Sequence, residues 1–425
     1  MNPPPIKSYN NPKPLTRLHR QITLPFPEKE YRNITSSAPK FRKFILKMVK
    51  ISPELFPVEI ENGFLLKDQY DSKKMSLPVR RIKIAGIAYT IRPSFVLPYF
   101  TGTTDTASNA LFLRKFSVPY WALAIVFGKD AMYWYRIENS LGKRSLVGST
   151  LQEPTLLPEH INVDEKHTKL GGEKAYIAVT TAEGCILGAE LSQTAGEKNL
   201  TQAYGVFKDE AQTLSPYYSP LTATTDGWAA TKNALMTLFP TIVLIQCFLH
   251  LYIKLRDRSK RKYSALFLEV SDKLWHCYQG ETKQFFVQRV RRLYEWIINQ
   301  KNLPDVISKP IIKLKKNINA FKSAYDFSHA YRTSNMVDRL MQRMDKHLFN
   351  CKYFKGQFES ARLGMRAWSL IQNFAYYNPL TIKKYNGISS PAEKINGKKY
   401  HEDWLQNLFI SSSMAGYRSP PQNPI

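Results

Sequence analysis

Three aspartates, Asp164, Asp226 and Asp338, stand where a protein could hold metal ions for phosphodiester chemistry. Cutting or joining such a bond needs a nucleophilic oxygen, stabilisation of the charge that develops at phosphorus, and a leaving 3′ oxygen. Two divalent cations held by a few carboxylates serve all three needs. Because Mg²⁺ takes oxygen ligands and usually binds only one or two carboxylates alongside water and phosphate, three acids are sufficient. We therefore predict these aspartates as the catalytic residues and as the ligands of Mg²⁺ or Mn²⁺.

The first two acids are associated with predicted strands. Asp164 lies in the apolar stretch Ile161–Glu165, so its carboxylate needs a partner, and a cation is a suitable one in a chain with few acids. Asp226 follows a second such stretch and precedes Gly227, which lets the backbone turn sharply into the next helix. The alternatives are a turn or edge aspartate at Asp164 and a helix N-cap before Ala229 at Asp226.

The third acid follows a Ser/Thr/Asn cluster that is typical of a helix start. Asp338 would then lie one turn into this helix, where a carboxylate that merely suits the helix dipole is the alternative interpretation. Asp345, one helical repeat later, is the fallback for the third acid.

The charge of the chain favours a polyanionic partner. It has 61 Lys and Arg against 34 Asp and Glu, a formal net charge of +27 spread along all 425 residues. Such an excess opposes compaction, and counterion release on nucleic acid is the commonest reason to keep it. Arg339, Arg343 and Lys346 form a basic stripe on the predicted helix of Asp338, and Arg256, Arg258 and Lys260 belong to a separate basic run. We predict that these six residues bind phosphates. For the stripe, the alternative is an ordinary solvent-exposed helix face.

The elements around the acids predict an α/β fold. A strand at Ile161–Glu165 and a hairpin of Ala175–Thr181 and Cys185–Leu191 precede a helix from Glu197 to about Thr213. A strand at Leu221–Thr225, a helix at Ala229–Leu238 and a strand at Thr241–Gln246 follow, which together describe a mixed sheet with flanking helices. The stretch from about 251 to 330 has a helical and basic pattern, which predicts an all-α insertion. This order of elements is that of the ribonuclease H-like fold.

The flanking regions are predicted as separate modules. Residues 1–40, rich in Pro and Lys, read as a flexible basic arm. Residues 41–150 form a small, mainly helical N-terminal DNA-binding module, with two short helices inside about 107–142 that have the dimensions of a helix-turn-helix. Residues 361–425 are predicted as a C-terminal helix and a mobile tail. The candidate DNA readers on the second short helix are Tyr133, Tyr135, Arg136 and Asn139; the alternative is a helical cap whose core holds Trp121, Phe127 and Trp134.

The motifs about residues 151–360 resemble the catalytic domain of DDE-superfamily transposases, in particular the Mutator-like and bacterial insertion-sequence branch. The similar segments are Val163–Thr168, Thr225–Trp228, Gln246–His250 with its C-x2-H spacing, and Thr333–Asp338. The acids are separated by 62 (226 − 164) and 112 (338 − 226) residues, which leaves room for the helical insertion typical of the group. The branch usually has Glu where this chain has Asp338.

The resemblance implies a transposase that cuts the ends of a mobile element and joins them to target DNA by direct in-line attack. It further implies that Cys247, His250 and Asn335 lie next to the acids, although a plain core role for Cys247 stays open. The alternatives are a catalytically inactive, transposase-derived DNA-binding protein and another ribonuclease H-like nuclease. Because paired DNA ends must be held together, we expect a homodimer or higher oligomer on DNA.

Cysteine usage and hydropathy narrow the class further. The four cysteines form no CxxC pair, which favours buried reduced thiols over disulfides or a zinc ribbon. No run of eighteen apolar residues and no signal-peptide pattern occurs. We therefore expect no membrane partner and a cytoplasmic, nucleoid-associated protein.

Overall fold

A computed structural model describes residues 17–73, 76–98, 100–300 and 302–417. These residues form two compact units. Among these described residues, the first unit comprises those within 17–157, 209–217 and 363–417, and the second comprises those within 158–208 and 218–362. Each unit contains a mixed β-sheet with helices, so the predicted α/β class is confirmed.

The first unit is built on a four-stranded sheet in the order β1-β4-β3-β2. Strand β1 pairs with β4 in parallel, whereas β2, β3 and β4 are antiparallel neighbours. Apolar side chains such as Ile22, Phe41, Ile82 and Ile91 meet in one core. The strands are β1 (Gln21–Leu24), β2 (Leu65–Ser72), β3 (Leu77–Ile84) and β4 (Ile87–Pro93).

Two helices lie between β1 and β2 along the chain, and others follow β4. Residues 41–150, predicted to be mainly helical, thus also contain strands of a sheet. The stretch Arg80–Thr90, predicted as one strand, forms parts of β3 and β4, which are joined by a turn at Ala85 and Gly86. The helices are α1 (Tyr31–Ser36), α2 (Ala38–Ile51), α3 (Thr104–Arg114), α4 (Tyr120–Phe127), α5 (Ala131–Leu141) and α6 (Leu146–Thr150).

Both predicted mobile ends differ from the structure. Of the predicted flexible arm, residues 1–16 lie outside the described part, but β1, α1 and the start of α2 fall within residues 17–40. The predicted mobile tail contains three helices and the buried side chains of Trp404 and Leu405, and only residues 418–425 lie outside the described part. These helices are α16 (Pro379–Lys384), α17 (Pro391–Asn396) and α18 (Trp404–Ser411).

Both ends are ordered by contacts with remote residues of the first unit. The Thr23 backbone N–H donates to Ser413 Oγ at 3.4 Å, and Ser94 Oγ donates to Gln406 Oε1 at 2.8 Å. Such contacts across more than 300 residues leave no local pattern, so composition alone predicted mobility.

The second unit is built on a five-stranded sheet in the order β7-β6-β5-β8-β9. Strands β5, β6 and β7 form an antiparallel meander, and β5, β8 and β9 are parallel neighbours. The predicted strands and their order are thus present, with β5 in the centre. The strands are β5 (His160–Leu170), β6 (Glu173–Ala182), β7 (Cys185–Ser192), β8 (Thr222–Thr225) and β9 (Val243–Gln246).

Two helices fall within the strand order, α7 (Glu197–Leu214) between β7 and β8 and α8 (Ala229–Leu238) between β8 and β9. The predicted helical insertion follows β9 and packs around apolar side chains such as Phe267, Leu274, Phe286 and Ile311. Its helices are α9 (Phe248–Ser259), α10 (Ser264–Tyr278), α11 (Lys283–Asn299), α12 (Asp305–Lys316) and α13 (Ile318–Lys322), and α14 (Asn335–Asn350) and α15 (Phe358–Phe374) come after it.

Within the described residues, no helix combines the length and the apolar character that crossing a membrane requires. The cysteines form no disulfide among themselves there, and three are buried as predicted. Cys351 is exposed, contrary to the prediction, because it follows the last turn of α14.

Candidate active site

Asp164 lies on β5, the central strand of the second sheet, opposite Val179 of β6. Its side chain is only 17% exposed, and the Glu165 backbone N–H donates to its Oδ1 at 2.9 Å. The alternative of an edge or turn aspartate is therefore wrong. One carboxylate oxygen is held by the backbone, and the other faces the groups described next.

Asp226 follows the last residue of β8, the strand next to β5. Its Oδ1 accepts from the Trp228 backbone N–H at 2.8 Å in a tight turn, and Trp228, not Asp226, is the N-cap of α8. Gly227 has φ +87°, and a Cβ there would lie 2.9 Å from Gln246 Nε2. Both the left-handed backbone and this close approach favour glycine, so the turn that presents Asp226 depends on it.

Asp338 lies in the first turn of α14, as predicted, and the segment just before this helix is tied to the sheet. The Thr224 hydroxyl donates to the Tyr331 carbonyl at 2.5 Å, and the Phe248 backbone N–H donates to the Arg332 carbonyl at 3.2 Å. These bonds fix the start of α14 beside β8 and the start of α9. The position of Asp338 is therefore set by contacts with residues about one hundred positions away in the chain.

Asp164, His250 and Asp338 converge. Each offers one ligand atom, and these atoms all lie within 4.8 Å of one another. His250 Nε2 is 3.8 Å from Asp164 Oδ2. This is the one group of three or more His, Cys, Asp or Glu side chains with metal-binding spacing among the residues that the structure describes.

Asp226 stands next to this group but is not one of its three members. It lines a small cavity together with Cys247 and His250. Its charge also contributes to raising the pKa of Asp164, which places the two carboxylates in the same electrostatic environment. The three predicted acids therefore share one site, although the tight cluster contains only two of them.

Ser334 connects three groups of the site and is fully buried. Its Oγ donates to Asp338 Oδ2 at 2.9 Å and lies 3.2 Å from His250 Nδ1, and its backbone N–H donates to Cys247 Sγ at 3.1 Å. As the N-cap of α14, a serine would ordinarily accept a bond from the first turn of the helix, but this side chain makes no such bond. Its hydroxyl instead orients an acid and the imidazole.

Sequence reasoning selected Asn335 in place of its neighbour Ser334. Asn335 is exposed, whereas Ser334 makes the contacts with the acid and the imidazole. The resemblance thus indicated this turn of the chain, and a role for Asn335 itself stays a prediction. Cys247 is buried, and its contact with Ser334 shows that it also belongs to the site.

The electrostatics of the cluster follow from burial and mutual proximity. Burial, aided by the charges of Asp226 and Asp338, raises the pKa of Asp164 to about 6 against the lowering effect of His250. Burial lowers the pKa of His250, but Cys247 and the charges of Asp164 and Asp338 outweigh it and raise this pKa to about 9. At neutral pH, a pKa of about 9 favours the imidazolium form of His250, which offsets part of the negative charge of the carboxylates around it.

Glu165, next to Asp164, is a buried acid that sequence reasoning did not select. Because successive strand residues point to opposite faces, its carboxylate lies on the other side of the sheet. The hydroxyls of Tyr204 on α7 and Thr231 on α8 both donate to its Oε1 at 2.6 Å, and burial raises its pKa to about 7. Glu165 thus ties both helices to the central strand that carries Asp164.

The predicted phosphate-binding residues of the second unit are accessible. Arg339, Arg343 and Lys346 are exposed on α14, and Arg258 and Lys260 are exposed at the end of α9. Arg256 is half-buried and pairs with Asp257. Asp345, the fallback third acid, pairs with Lys166 at 2.5 Å and is not in the cluster, which leaves Asp338 as the third acid of the site.

The predicted helix pair, in the first unit, is present as α4 and α5. The Tyr133 hydroxyl donates to the Thr101 carbonyl at 2.7 Å, so this side chain has a structural contact within the protein. Arg136 is exposed. Trp134 is buried as the cap interpretation predicted, but Trp121 is 64% exposed, so the cap interpretation is wrong for that residue.

Comparison with known proteins adds no identification. The chain matches no protein-family profile, and no curated protein is significantly similar to it.

Proposed function

We propose that the second unit is a ribonuclease H-like catalytic domain and that the protein is a metal-dependent DNA transposase. The observation that carries the proposal is the convergence of Asp164 and Asp338, 174 residues apart (338 − 164), within 4.8 Å beside Asp226. Three carboxylates in one half-buried site carry more negative charge than the single His250 imidazolium offsets, so a divalent cation is a suitable further partner. The order of the strands around them, β7-β6-β5-β8-β9, also supports the proposed fold.

The donor set fits a divalent cation of the Mg²⁺ or Mn²⁺ type. Carboxylate oxygens are the ligands that such ions prefer. Asp164, Asp226 and Asp338 would hold the ions. When bound, the ions would polarise the phosphoryl oxygen and activate the attacking oxygen.

The residues around the acids have roles that follow from their contacts. Ser334 orients Asp338 by donating to Oδ2, and its oxygen can accept a hydrogen bond from His250 Nδ1–H. The His250 imidazolium holds its other proton on Nε2, which faces Asp164 Oδ2. Glu165, tied to α7 and α8, keeps β5 rigid behind Asp164.

The charge of the chain supports DNA as the substrate. The net charge of +27 and the exposed stripe Arg339, Arg343 and Lys346 on the helix of Asp338 would neutralise phosphates of a strand that passes the acids. Because transposition joins two ends of an element to target DNA, we propose that at least two copies of the chain act together on nucleoid DNA.

The test is Mg²⁺- or Mn²⁺-dependent nicking and strand transfer on DNA that carries the element's ends, with Asp226→Asn compared with wild type. We expect the variant to lose both activities while its DNA affinity is unchanged. Asp345→Asn is the matched control, because Asp345 is an acid of the same unit that is paired with Lys166 outside the cluster.

Other outcomes of this test distinguish the alternatives. Equal activity in Asp226→Asn and wild type would overturn the catalytic assignment. DNA binding without cleavage in wild type would identify an inactive, transposase-derived DNA-binding protein, and cleavage without strand transfer would identify another ribonuclease H-like nuclease.

A further inference from the structure

A small cavity opens next to the acids, and the helical insertion forms one of its walls. Asp226 and Gln246, at the ends of β8 and β9, line it on the side of the sheet. His250 of α9, Lys313 of α12 and Phe321 of α13 line it on the side of the insertion. Lys254 of α9 also lines it. The insertion therefore contributes side chains to the pocket that contains Asp226, at a place that the sequence motifs did not indicate.

Two lysines of this pocket have no acidic partner. Lys254 and Lys313 are exposed, and neither forms an ion pair with any residue in the described ranges. Lys309, one turn earlier on α12, differs because it pairs with Asp305 at 2.7 Å. The ammonium groups of the pocket are thus available to a ligand, while a comparable lysine on the same helix already has an acidic partner.

The direction of Lys254 follows from its position on α9. His250 and Lys254 are four residues apart and lie on the same face of the helix. The imidazole near Asp164 and the ammonium group therefore project toward the same cavity, which both residues line.

We infer that Lys254 and Lys313 form a phosphate-binding subsite that holds a phosphodiester of the DNA strand next to the carboxylates. A ligand here must satisfy cations on one side and a carboxylate with its metal ion on the other, and a phosphate does both. Each ammonium offers three hydrogen-bond donors, and the Gln246 amide offers two more. This inference rests on the proposed function, since it names a subsite of the same active site.

The subsite gives the helical insertion a direct role in positioning the strand. Lys313 belongs to the insertion, and Asp226 directly follows β8. A phosphate bound between them is therefore fixed relative to the metal ligands. In-line attack depends on such placement. Loss of either lysine should therefore affect both binding and the rate at saturating DNA.

The experiment compares Lys254→Gln and Lys313→Gln with Lys309→Gln, the matched control on α12. Affinity for a short DNA duplex carrying an element end is measured over a range of salt concentrations, with Ca²⁺ in place of Mg²⁺. We expect the slope of log affinity against log salt to fall by about one for each pocket lysine, because each contacts one phosphate. We expect the slope for Lys309→Gln to stay at the wild-type value.

Cleavage at saturating DNA is then measured with Mg²⁺, and thermal melting checks that each variant is folded. A slower cleavage rate in both pocket variants, beside a normal rate in Lys309→Gln, supports the subsite. Wild-type slopes in the folded pocket variants overturn it, whether or not the enzyme cleaves DNA. Absence of cleavage in wild type overturns the proposed function instead, and the binding slopes still decide whether the lysines hold phosphate.

Discussion

The acid cluster of the second unit and the helix pair of the first unit were both predicted as functional sites. They differ in how their residues come together. Asp164, His250 and Asp338 are far apart in sequence and meet within 4.8 Å. The candidate readers of α5 are close in sequence, and Tyr133 uses its hydroxyl to bind the Thr101 carbonyl. Convergence of remote residues is a tertiary feature, whereas residues on one short helix are neighbours whatever their role.

Burial of polar groups indicates a functional site more strongly than exposure of single residues on one helix does. At the cluster, partly buried carboxylates and an imidazole depend on each other for charge balance, and such an arrangement needs a reason to persist. On α4, Trp121 and Ile125 are exposed apolar side chains, and on α5 Arg136 is an exposed cation. Single exposed residues of these kinds are common on protein surfaces.

The largest expected effect separates the two acids of α14. Asp338→Asn should lower the metal-dependent cleavage rate by about 10³-fold, since removal of one charge-stabilising group in an active site has an effect of that order. Asp345→Asn should retain wild-type activity, because Asp345 pairs with Lys166 outside the cluster. The measurement is single-turnover cleavage with both variants at matched DNA occupancy; a larger loss in Asp345→Asn would contradict the assignment of the third acid.

A smaller loss is expected for Ser334→Ala. Removing the hydroxyl leaves Asp338 Oδ2 without its donor, and residues that orient metal ligands typically contribute about 10- to 100-fold in metal affinity. Mn²⁺ affinity, measured by titration calorimetry, is the readout, because a change in folding stability alone would not alter it. Ser259→Ala is the control, since the Ser259 hydroxyl is equally buried but bonds only to the Leu255 carbonyl of its own helix.

Arg136→Gln tests whether the helix pair reads DNA. If α5 contacts base edges, loss of the guanidinium should reduce the preference for element-end DNA over unrelated DNA by about tenfold, the effect of one good base contact. Competition binding with both DNAs gives this ratio. An unchanged ratio would leave α4 and α5 as a structural helix pair and would confine the predicted functional residues to the second unit.

The smallest effect is expected at Tyr133, where a hydrogen bond within the protein accounts for the position of the side chain. Tyr133→Phe removes the hydrogen bond to the Thr101 carbonyl and should lower the free energy of unfolding by about 1 kcal/mol. Chemical denaturation measures this change. A loss of DNA affinity with unchanged stability would instead show that the hydroxyl contacts DNA.

The elements of the fold were largely accessible from local patterns. Alternating apolar residues predicted the strands of the second sheet, and α5 runs from Ala131 to Leu141 as predicted, because Gly128 and Asp130 define its start. Asp164 and Asp226 were recognisable since a strand and a glycine turn are short-range features. These signals depend on residues within about ten positions, so a single sequence contains them.

The tertiary structure alone decided the features that depend on remote partners. The pairing of β1 with β4 orders a stretch whose composition predicted a flexible arm, and α18 is buried although the tail read as mobile. Ser334 rather than Asn335 meets Asp338, and Lys313 lines the pocket of Asp226. In each case the contact lies between residues that are distant in sequence. The local sequence pattern around either residue therefore does not predict it.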